Sequence, residues 1–368
     1  MTPDLGTASA AVPLDYAIVV ATRNRLDMLK VSLPLLLAQS RPAGRIVVVD
    51  HSDDHAAVRK HCLSLATTSM IPLEVHHGRQ ANLPSQRNQG LTRVREAVVA
   101  FPDDDSLWFP DTAAQLMAVY EADRNGCYGA VSATEVHVPP REAAPERPPR
   151  EGHAKDHPAI MRIRNRVEAT IVPQPFNLFG AERIDALGSV AATDGLSYPL
   201  VETIGGYLMS FRTEVASGIA FDELLGSRIG YATHEDKDLG LRVLAAGKLI
   251  AAAPDAHVFH NAAPGRRADG FDYGFFHILN YMYACYKTVA ASPRARRAIP
   301  RYLRYKVFLY SLRRADPHGR DIHRGAQAAL TALPEMASAS PGSLAERYTA
   351  ICDRNGIGAA RKTGGKIR

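Results

Sequence analysis

The stretch Ala97-Val98-Val99-Ala100-Phe101-Pro102-Asp103-Asp104-Asp105-Ser106-Leu107-Trp108 decides how this chain folds. Its short apolar, β-branched opening reads as a buried strand. The strand stops on three adjacent carboxylates. Like charges repel, and each costs more when water is removed, so the aspartates need a cation or hydrogen-bond donors. In an extended segment, Asp103 and Asp105 point one way and Asp104 the other. A same-facing carboxylate pair suits a hard divalent ion, Mg²⁺ or Mn²⁺, which keeps several waters and takes phosphate oxygens as further ligands. The same three residues also read as a solvated acidic turn.

The same grammar repeats upstream. Residues 16–21 (YAIVVA) are apolar and run into the polar knot Thr22-Arg23-Asn24-Arg25. Leu26, Leu29, Leu33, Leu36 and Leu37 then recur at helical spacing, closed by Pro42 and Gly44. Residues 46–49 form a second buried strand that ends in Asp50-His51-Ser52-Asp53-Asp54. Strand, helix, strand predicts a right-handed parallel crossover. Residues 71–76 read as another strand, and Ser85 can cap a helix running to about Ala97. Ligands of open α/β sheets bind beyond the carboxyl ends of the strands. Residues 22–25, 50–54, 78–80 and 103–105 are therefore expected along one rim.

Further on, residues 139–158 hold six prolines, four acids and four Lys or Arg, a composition that predicts an exposed loop. Residues 205–212 (GGYLMSFR) read as a strand. Thr233-His234-Glu235-Asp236 opens a helix, with Thr233 at the cap, acids in the first turn, Leu239, Val243 and Leu244 on the apolar face, and Gly247 at the end. Residues 249–253 predict a strand leading to Pro254-Asp255-Ala256-His257-Val258-Phe259-His260. His257 and His260 are candidate ligands, although a lone His is more often structural. From Phe271 to about Arg314 aromatics and arginines dominate and helices are expected, followed by a short helix and a loose end.

A net charge of +6 is compatible with an acidic partner such as a phosphate, a nucleic acid or an anionic membrane surface. Four scattered cysteines form no CxxC pair, which argues against a zinc knuckle or a disulfide framework and fits a reducing cytosol. The N-terminus lacks the pattern of a signal peptide. No run of 18 apolar residues predicts a transmembrane helix.

Individually the candidate residues each have a plain alternative. Asp50 could accept a hydrogen bond from a nucleobase or cap a turn. Arg87-Asn88 could hold a diphosphate or brace the rim. Glu235-Asp236 sits at a helix start, where the macrodipole favours the ionised carboxylate that a general base needs; a capping acid would sit there too. Asp238 and Arg242, four apart, would pair along the helix.

In their order, these pieces resemble the family-2 inverting glycosyltransferases with the GT-A fold. The resemblance rests on Thr22, Asn24 and Arg25 after the first strand; on Asp50, Ser52 and Asp53 after the second; on Arg87, Asn88 and Gly90; on Asp103-Asp104-Asp105 as the DXD motif; on Gly205-Gly206 and Phe221-Asp222-Glu223; on "HEDKDLGLRV"; and on His260. It covers residues 14 to 262. The segment from 139 to 200 is longer and richer in proline than a minimal core needs.

The resemblance implies an α/β fold with a Rossmann-like mixed central sheet flanked by helices. The expected organisation is a flexible tail at 1–13, a catalytic domain at 14–265, a basic and aromatic helical extension at 266–330, and a short helix with a loose tail at 331–368. It implies transfer of a sugar from a nucleotide-diphosphate sugar to a hydroxyl of a glycan or lipid-linked glycan, in cell-surface polysaccharide synthesis. Mn²⁺ or Mg²⁺ would sit on Asp105, Asp103 and His260. Thr22, Asn24, Arg25, Asp50, Arg87, Asn88, Asp103 and Asp104 would bind the nucleotide-sugar. Asp236 would be the general base. Glu235, Gly205 and Gly206 would meet the acceptor. The remaining expectations are a cytoplasmic protein, peripheral on the cytoplasmic membrane face, no nucleic-acid partner, and room for a homodimer.

A sugar nucleotidyltransferase would resemble this chain in sheet and Mg²⁺ use, but it carries a Gly-rich loop after the first strand, where Thr22-Arg23-Asn24-Arg25 stands here. A dinucleotide oxidoreductase fails for want of an early GxGxxG. A non-catalytic sugar-binding protein of the same fold would have lost motif residues that are present here.

Overall fold

The computed structural model describes residues 13–143, 166–168, 170–193, 198–226, 232–261 and 269–356. β1 (Tyr16–Thr22) and β2 (Arg45–Asp50) are apolar without alternation, because helices cover both faces of the sheet they found. α1 (Leu26–Leu37) crosses between them and buries Leu29, Leu33 and Leu36. α2 (His55–Ala66), capped by the Asp54 carboxylate, leads to β3 (Leu73–His77). α3 (Leu83–Leu91) leads to β4 (Val98–Ala100). These strands are parallel in the order β3-β2-β1-β4, so their carboxyl ends share one rim as expected.

The second half makes the sheet mixed. β5 (Ser106–Trp108), α4 (Thr112–Ala122), β6 (Tyr128–Val136), α5 (Pro175–Thr193), β7 (Met209–Arg212), α6 (Thr213–Ile219), α7 (Glu235–Ala245) and β8 (Leu249–His260) follow in turn. β7 runs antiparallel to β4 and β6, and β5 antiparallel to β8, which completes the eight-stranded order β3-β2-β1-β4-β7-β6-β8-β5. β8 continues well past Ala253 because the register against β6 shifts between Ser132 and Thr134, and the exposed Pro254 falls in that irregularity.

Period-2 alternation splits the apolar residues of the sheet between two layers. Tyr16, Ile18 and Val20 pack with α1, α2 and α4 on one face. Ala17 and Val19 face the other layer, which runs without a break into α7 and the C-terminal helices. Those helices are α8 (Gly270–Lys287), α9 (Pro293–Ser311), α10 (Pro317–Leu330), α11 (Leu333–Ala337) and α12 (Leu344–Arg354).

Several local expectations are corrected. Asn82, not Ser85, caps α3: its side chain accepts from the Ser85 N–H, and the helix ends at Leu91, not near Ala97. Residues 206–208 form a 3₁₀ turn, so that strand begins only at Met209. Thr233 does not cap α7; its hydroxyl accepts from the Asn280 amide, and His234 takes the flanking position. At the start of the expected loop at 139–158, Arg141 and Glu142 are exposed, while Pro140 is buried and Ala143 packs with Leu35 and Leu107. Its residues 144–158, the tail at 1–12 and the end at 357–368 lie outside the described residues. The C-terminal segment holds two short helices, α11 and α12, where one was expected.

α8 and α10 meet backbone to backbone. A Cβ on Gly274 would lie 2.0 Å from the Ile322 carbonyl oxygen, and one on Gly325 would lie 1.9 Å from that of Phe271. Gly274→Ala or Gly325→Ala should therefore force the helices apart and lower urea-unfolding stability by about 2 kcal/mol, despite alanine's better helix propensity. Gly188→Ala in α5, where nothing lies within 4 Å of the added carbon, should be neutral or stabilising by up to about 1 kcal/mol. Matching effects at all three positions would contradict the close packing of α8 on α10.

Candidate active site

The rim collects carboxylates and answers them with two arginines. The aspartate triplet is not extended. It turns after Asp103, so the expected alternation fails and each carboxylate finds its own partner. Asp103 accepts from Arg87 Nη2 at 2.8 Å. Asp104 accepts from the Thr22 hydroxyl at 2.7 Å and pairs with Arg25 Nη1. Asp105 pairs with Arg25 Nη2 and faces His260 Nε2 at 3.4 Å. His260 reaches Asp105 because β5 and β8 pair with Ser106 opposite His260. His257, on the same strand, packs against the Phe109 ring instead.

Burial divides the triplet electrostatically. Desolvation pushes the Asp104 carboxyl up to about 7 against the pull of Arg25. Desolvation also opposes the charge on Asp105, but the His260 hydrogen bond and Arg25 outweigh it and hold Asp105 well below the usual carboxylate range. Of Asp104 and Asp105, Asp105 is thus the more readily ionised.

Arg87 joins the two halves of the rim. Its side chain is 2% exposed, donates to Asp103 and, at 3.1 Å, to Glu235, and lies 5.3 Å over the Phe221 ring. Arg87 thus bonds acids on both sides of the rim. Asn88 is also turned to the framework: its amide donates to Phe221 O and Glu223 and accepts from the Phe221 N–H, holding the Phe-Asp-Glu turn against α3.

The nucleotide-side candidates meet at the ends of β1 and β2. Asn24, in the left-handed region at φ 54°, exchanges hydrogen bonds with Asp53 and donates its N–H to Ser52. Asp50 is fully buried; one oxygen accepts from Ser52 N–H and the other meets His55 Nδ1 at 2.7 Å. Thr22 donates its hydroxyl to Asp104. These contacts tie the two loops to each other. Gln86 was not singled out by sequence, yet its amide donates to the carbonyls of Thr22 and Val49 and staples the two strand ends.

On the opposite side, Glu235 is buried and Asp236 is partly exposed. A Cβ on Gly206 would lie 3.6 Å from both Arg87 Nη2 and Asp236 Oδ2, so the Gly205-Gly206 turn runs alongside Asp236. Tyr207 stacks on His260 with centroids 4.5 Å apart, a contact that nothing but an aromatic after two glycines could have signalled.

His234, unexplained by sequence, turns the chain into α7 at φ 66°. A side chain in the left-handed region is strained and persists only when its surroundings hold it. Here the ring meets His277 at 4.6 Å and Tyr281 at 5.3 Å, and Nε2 meets the His277 carbonyl. Tyr310 on α9 in turn bonds His277 Nδ1 at 2.8 Å. Desolvation first, then Lys237 and Lys306, push His234 below the ordinary imidazole range, so the ring is neutral.

The expected three-residue metal set is not assembled. Asp105 and His260 come together, Asp103 turns to Arg87, and among the described residues no three His, Cys, Asp or Glu converge on a metal position. A carboxylate beside an imidazole remains donor chemistry that fits Mg²⁺ or Mn²⁺, since such ions complete their shell with water and phosphate oxygens.

Residues 17–173 match the family described as Glycosyl transferase family 2. No curated protein sequence matches the chain. Among solved structures, it is similar to a mannosyltransferase, PcManGT of Pyrobaculum calidifontis in complex with GDP-Man and Mn²⁺, at 14% identity and a TM-score of 0.50, covering 93% of this chain and 81% of that one. It is also similar to S. aureus TarS 1–349 in complex with UDP, at 13% identity and a TM-score of 0.51, covering 93% and 92%.

Burial, and next the charge of Asp236, push the Glu235 carboxyl up to about 7 while Arg87 opposes them. A raised acid keeps in the folded state a proton that the unfolded chain has released. Its contribution to stability therefore falls as pH rises from the unfolded value, about 4.3, to about 7, and is level above that. Glu235→Gln removes the titration. Relative to the parent, it should gain on the order of 1–3 kcal/mol between pH 4.5 and pH 8, measured by urea unfolding at both values. A pH-independent difference would place the titrating group elsewhere.

Proposed function

The chain carries a glycosyl transferase family 2 domain, and from that premise we propose that it moves a sugar from a nucleoside-diphosphate sugar to a hydroxyl of a glycan or lipid-linked glycan, with inversion at the anomeric carbon. The observation that carries the proposal is Arg87: one buried guanidinium binds Asp103 of the aspartate triplet and Glu235 beside the helix start, so donor-side and acceptor-side groups share one rim. The similar structures named above hold GDP-Man with Mn²⁺ and, in the TarS case, UDP, which supports a nucleotide-linked donor.

In this reading, the nucleotide lies across the ends of β1 and β2, against the loops that Thr22, Asn24, Arg25 and Asp50 hold in place. Asp105 and His260 would hold Mg²⁺ or Mn²⁺, which would offset negative charge on a diphosphate leaving group. Asp236, the partly exposed member of the Glu-Asp pair, takes the proton from the acceptor hydroxyl as its oxygen attacks the anomeric carbon. The bond from that carbon to the diphosphate breaks on the opposite side, so a single displacement inverts the centre. Glu235 stays with Arg87 and shapes the base. The Gly205-Gly206 turn leaves space beside Asp236 for the acceptor. In the same reading the reaction belongs to cell-surface polysaccharide synthesis at the cytoplasmic face of a membrane, as expected from the sequence.

A screen of UDP-, GDP- and dTDP-sugars with Mn²⁺ for nucleoside diphosphate release tests the reaction class and names the donor; no release and no thermal stabilisation with any of them would reject it. Asp105→Ala should abolish metal-dependent nucleoside diphosphate binding in calorimetry while the melting transition stays cooperative. Asp236→Asn should keep donor binding and lower transfer by about 10²–10⁴-fold, the contribution of a general base. Transfer at the parent rate by Asp236→Asn would move the base to Glu235 or Asp238.

A further inference from the structure

α9 has two faces of opposite character. Its inner face buries Ala295, Ile299, Tyr302, Leu303, Val307 and Tyr310. Its outer face exposes Arg294, Arg297, Arg301 and Arg304 at alternating spacings of three and four residues, and the same stripe continues into Phe308 and Leu312. The two apolar residues are 56% and 66% exposed, among the few large hydrophobic side chains of the described residues that face water. Arg296, Arg313 and Arg314 flank the stripe, also exposed. No acid occurs anywhere from 294 to 314. An ordinary solvated helix mixes both signs of charge and keeps aromatics inside. Here the positive charge is unmixed, and an apolar end is added to it.

We propose that the outer face of α9 docks the protein on an anionic lipid bilayer, with the arginines at the phosphate level and Phe308 and Leu312 inserted between headgroups. Charge complementarity selects the partner: a one-signed stripe matches an anionic surface, and exposed apolar side chains gain only where that surface also offers hydrocarbon. A soluble polyanion would meet the arginines but leave Phe308 and Leu312 in water. Among the described residues no helix is long and apolar enough to cross a membrane.

The inner face gives the docking a consequence. Tyr310 bonds His277, and His277 packs on His234 at the start of α7. α9, with His277 of α8 behind it, thus stands between the lipid-facing stripe and the chain that leads into Glu235 and Asp236. Docking would hold the acceptor side of the rim near the headgroups, where a lipid-linked acceptor presents its sugar. That consequence rests on the proposed glycosyl transfer; the docking itself does not.

Flotation with liposomes tests it without any donor or acceptor. The full chain should float with vesicles containing phosphatidylglycerol at low salt, stay behind with pure phosphatidylcholine, and lose binding as salt rises. Replacing Arg294, Arg297, Arg301 and Arg304 by Glu should lower partitioning by at least about a hundredfold, with the melting temperature and nucleoside diphosphate binding retained. Phe308→Ser with Leu312→Ser should weaken flotation but leave binding to dextran sulfate unchanged. No flotation on anionic vesicles at low salt, equal flotation by the arginine variant, or flotation by the Phe308 and Leu312 variant equal to that of the parent, would overturn the proposal. Because nucleoside diphosphate release is read separately, failure of docking and failure of the transfer reaction are told apart.

Discussion

Two guanidinium groups make the rest of the rim possible. Three adjacent aspartates, a buried Asp50 and the Glu235-Asp236 pair gather where the strands end, and without cations their mutual repulsion would open the loops that carry them. Arg25 pairs with Asp104 and Asp105, and Arg87 spans Asp103 and Glu235. Arginine suits both positions because its planar fork makes two directed bonds while staying charged when buried. A lysine would offer a point charge to one carboxylate and leave the second uncompensated. The arginines therefore set the distance between the two halves of the site as well as their charge.

The C-terminal helices reach the same site by another route. The apolar layer is continuous from Val19 in the sheet to Ile351 in α12, so these helices complete the core. Within it, Tyr310, His277 and His234 form a line of contacts from α9 to the start of α7. The left-handed turn at His234 is costly for a residue with a side chain. Packing between Phe176, Tyr281 and His277 holds it there and fixes the angle at which α7 presents its first acids. On the other side of α7, Lys287 reaches both Asp222 and Asp238, while Arg242 also binds Asp238, so the helix is clamped along its length.

How much of this was legible in the sequence follows from the range of each interaction. The parallel strands and the rim could be read because apolar runs ending in polar knots are local signals, and the family motifs ordered them. The mixed second half was partly hidden. β5 is three residues long, so periodicity had little to act on, and β6, a nine-residue strand after the Asn125-Gly126 turn, carries no motif that singled it out. Caps were misassigned by one or three residues: Asn82 and Ser85 are equally eligible locally, and Thr233, the better local cap, is drawn away by Asn280. The side chains of the triplet were misdirected because alternation assumes an extended backbone, whereas the chain turns there to let Arg25 take two carboxylates. The roles of Gln86, Tyr207 and His234 depend on partners far away in sequence, and no local pattern encodes them.

The environment also separates carboxylates that the sequence presents as equals. In the triplet, Asp105 is held ionised by His260 and Arg25, while Asp104, beside it, is pushed up to about 7 by burial. In the motif at α7, Glu235 is pushed up to about 7 while its neighbour Asp236 reaches the surface next to Gly206. Each group thus sets a carboxyl pushed up by burial beside a neighbour with different partners or exposure. That division is the arrangement by which one site can hold several acids without losing the charge that catalysis needs. Glu235 is buried and bonded to Arg87, which fits the brace. Asp236, one residue on, emerges from the brace on the acceptor side, and the proposed base is therefore the member that the packing leaves able to meet substrate.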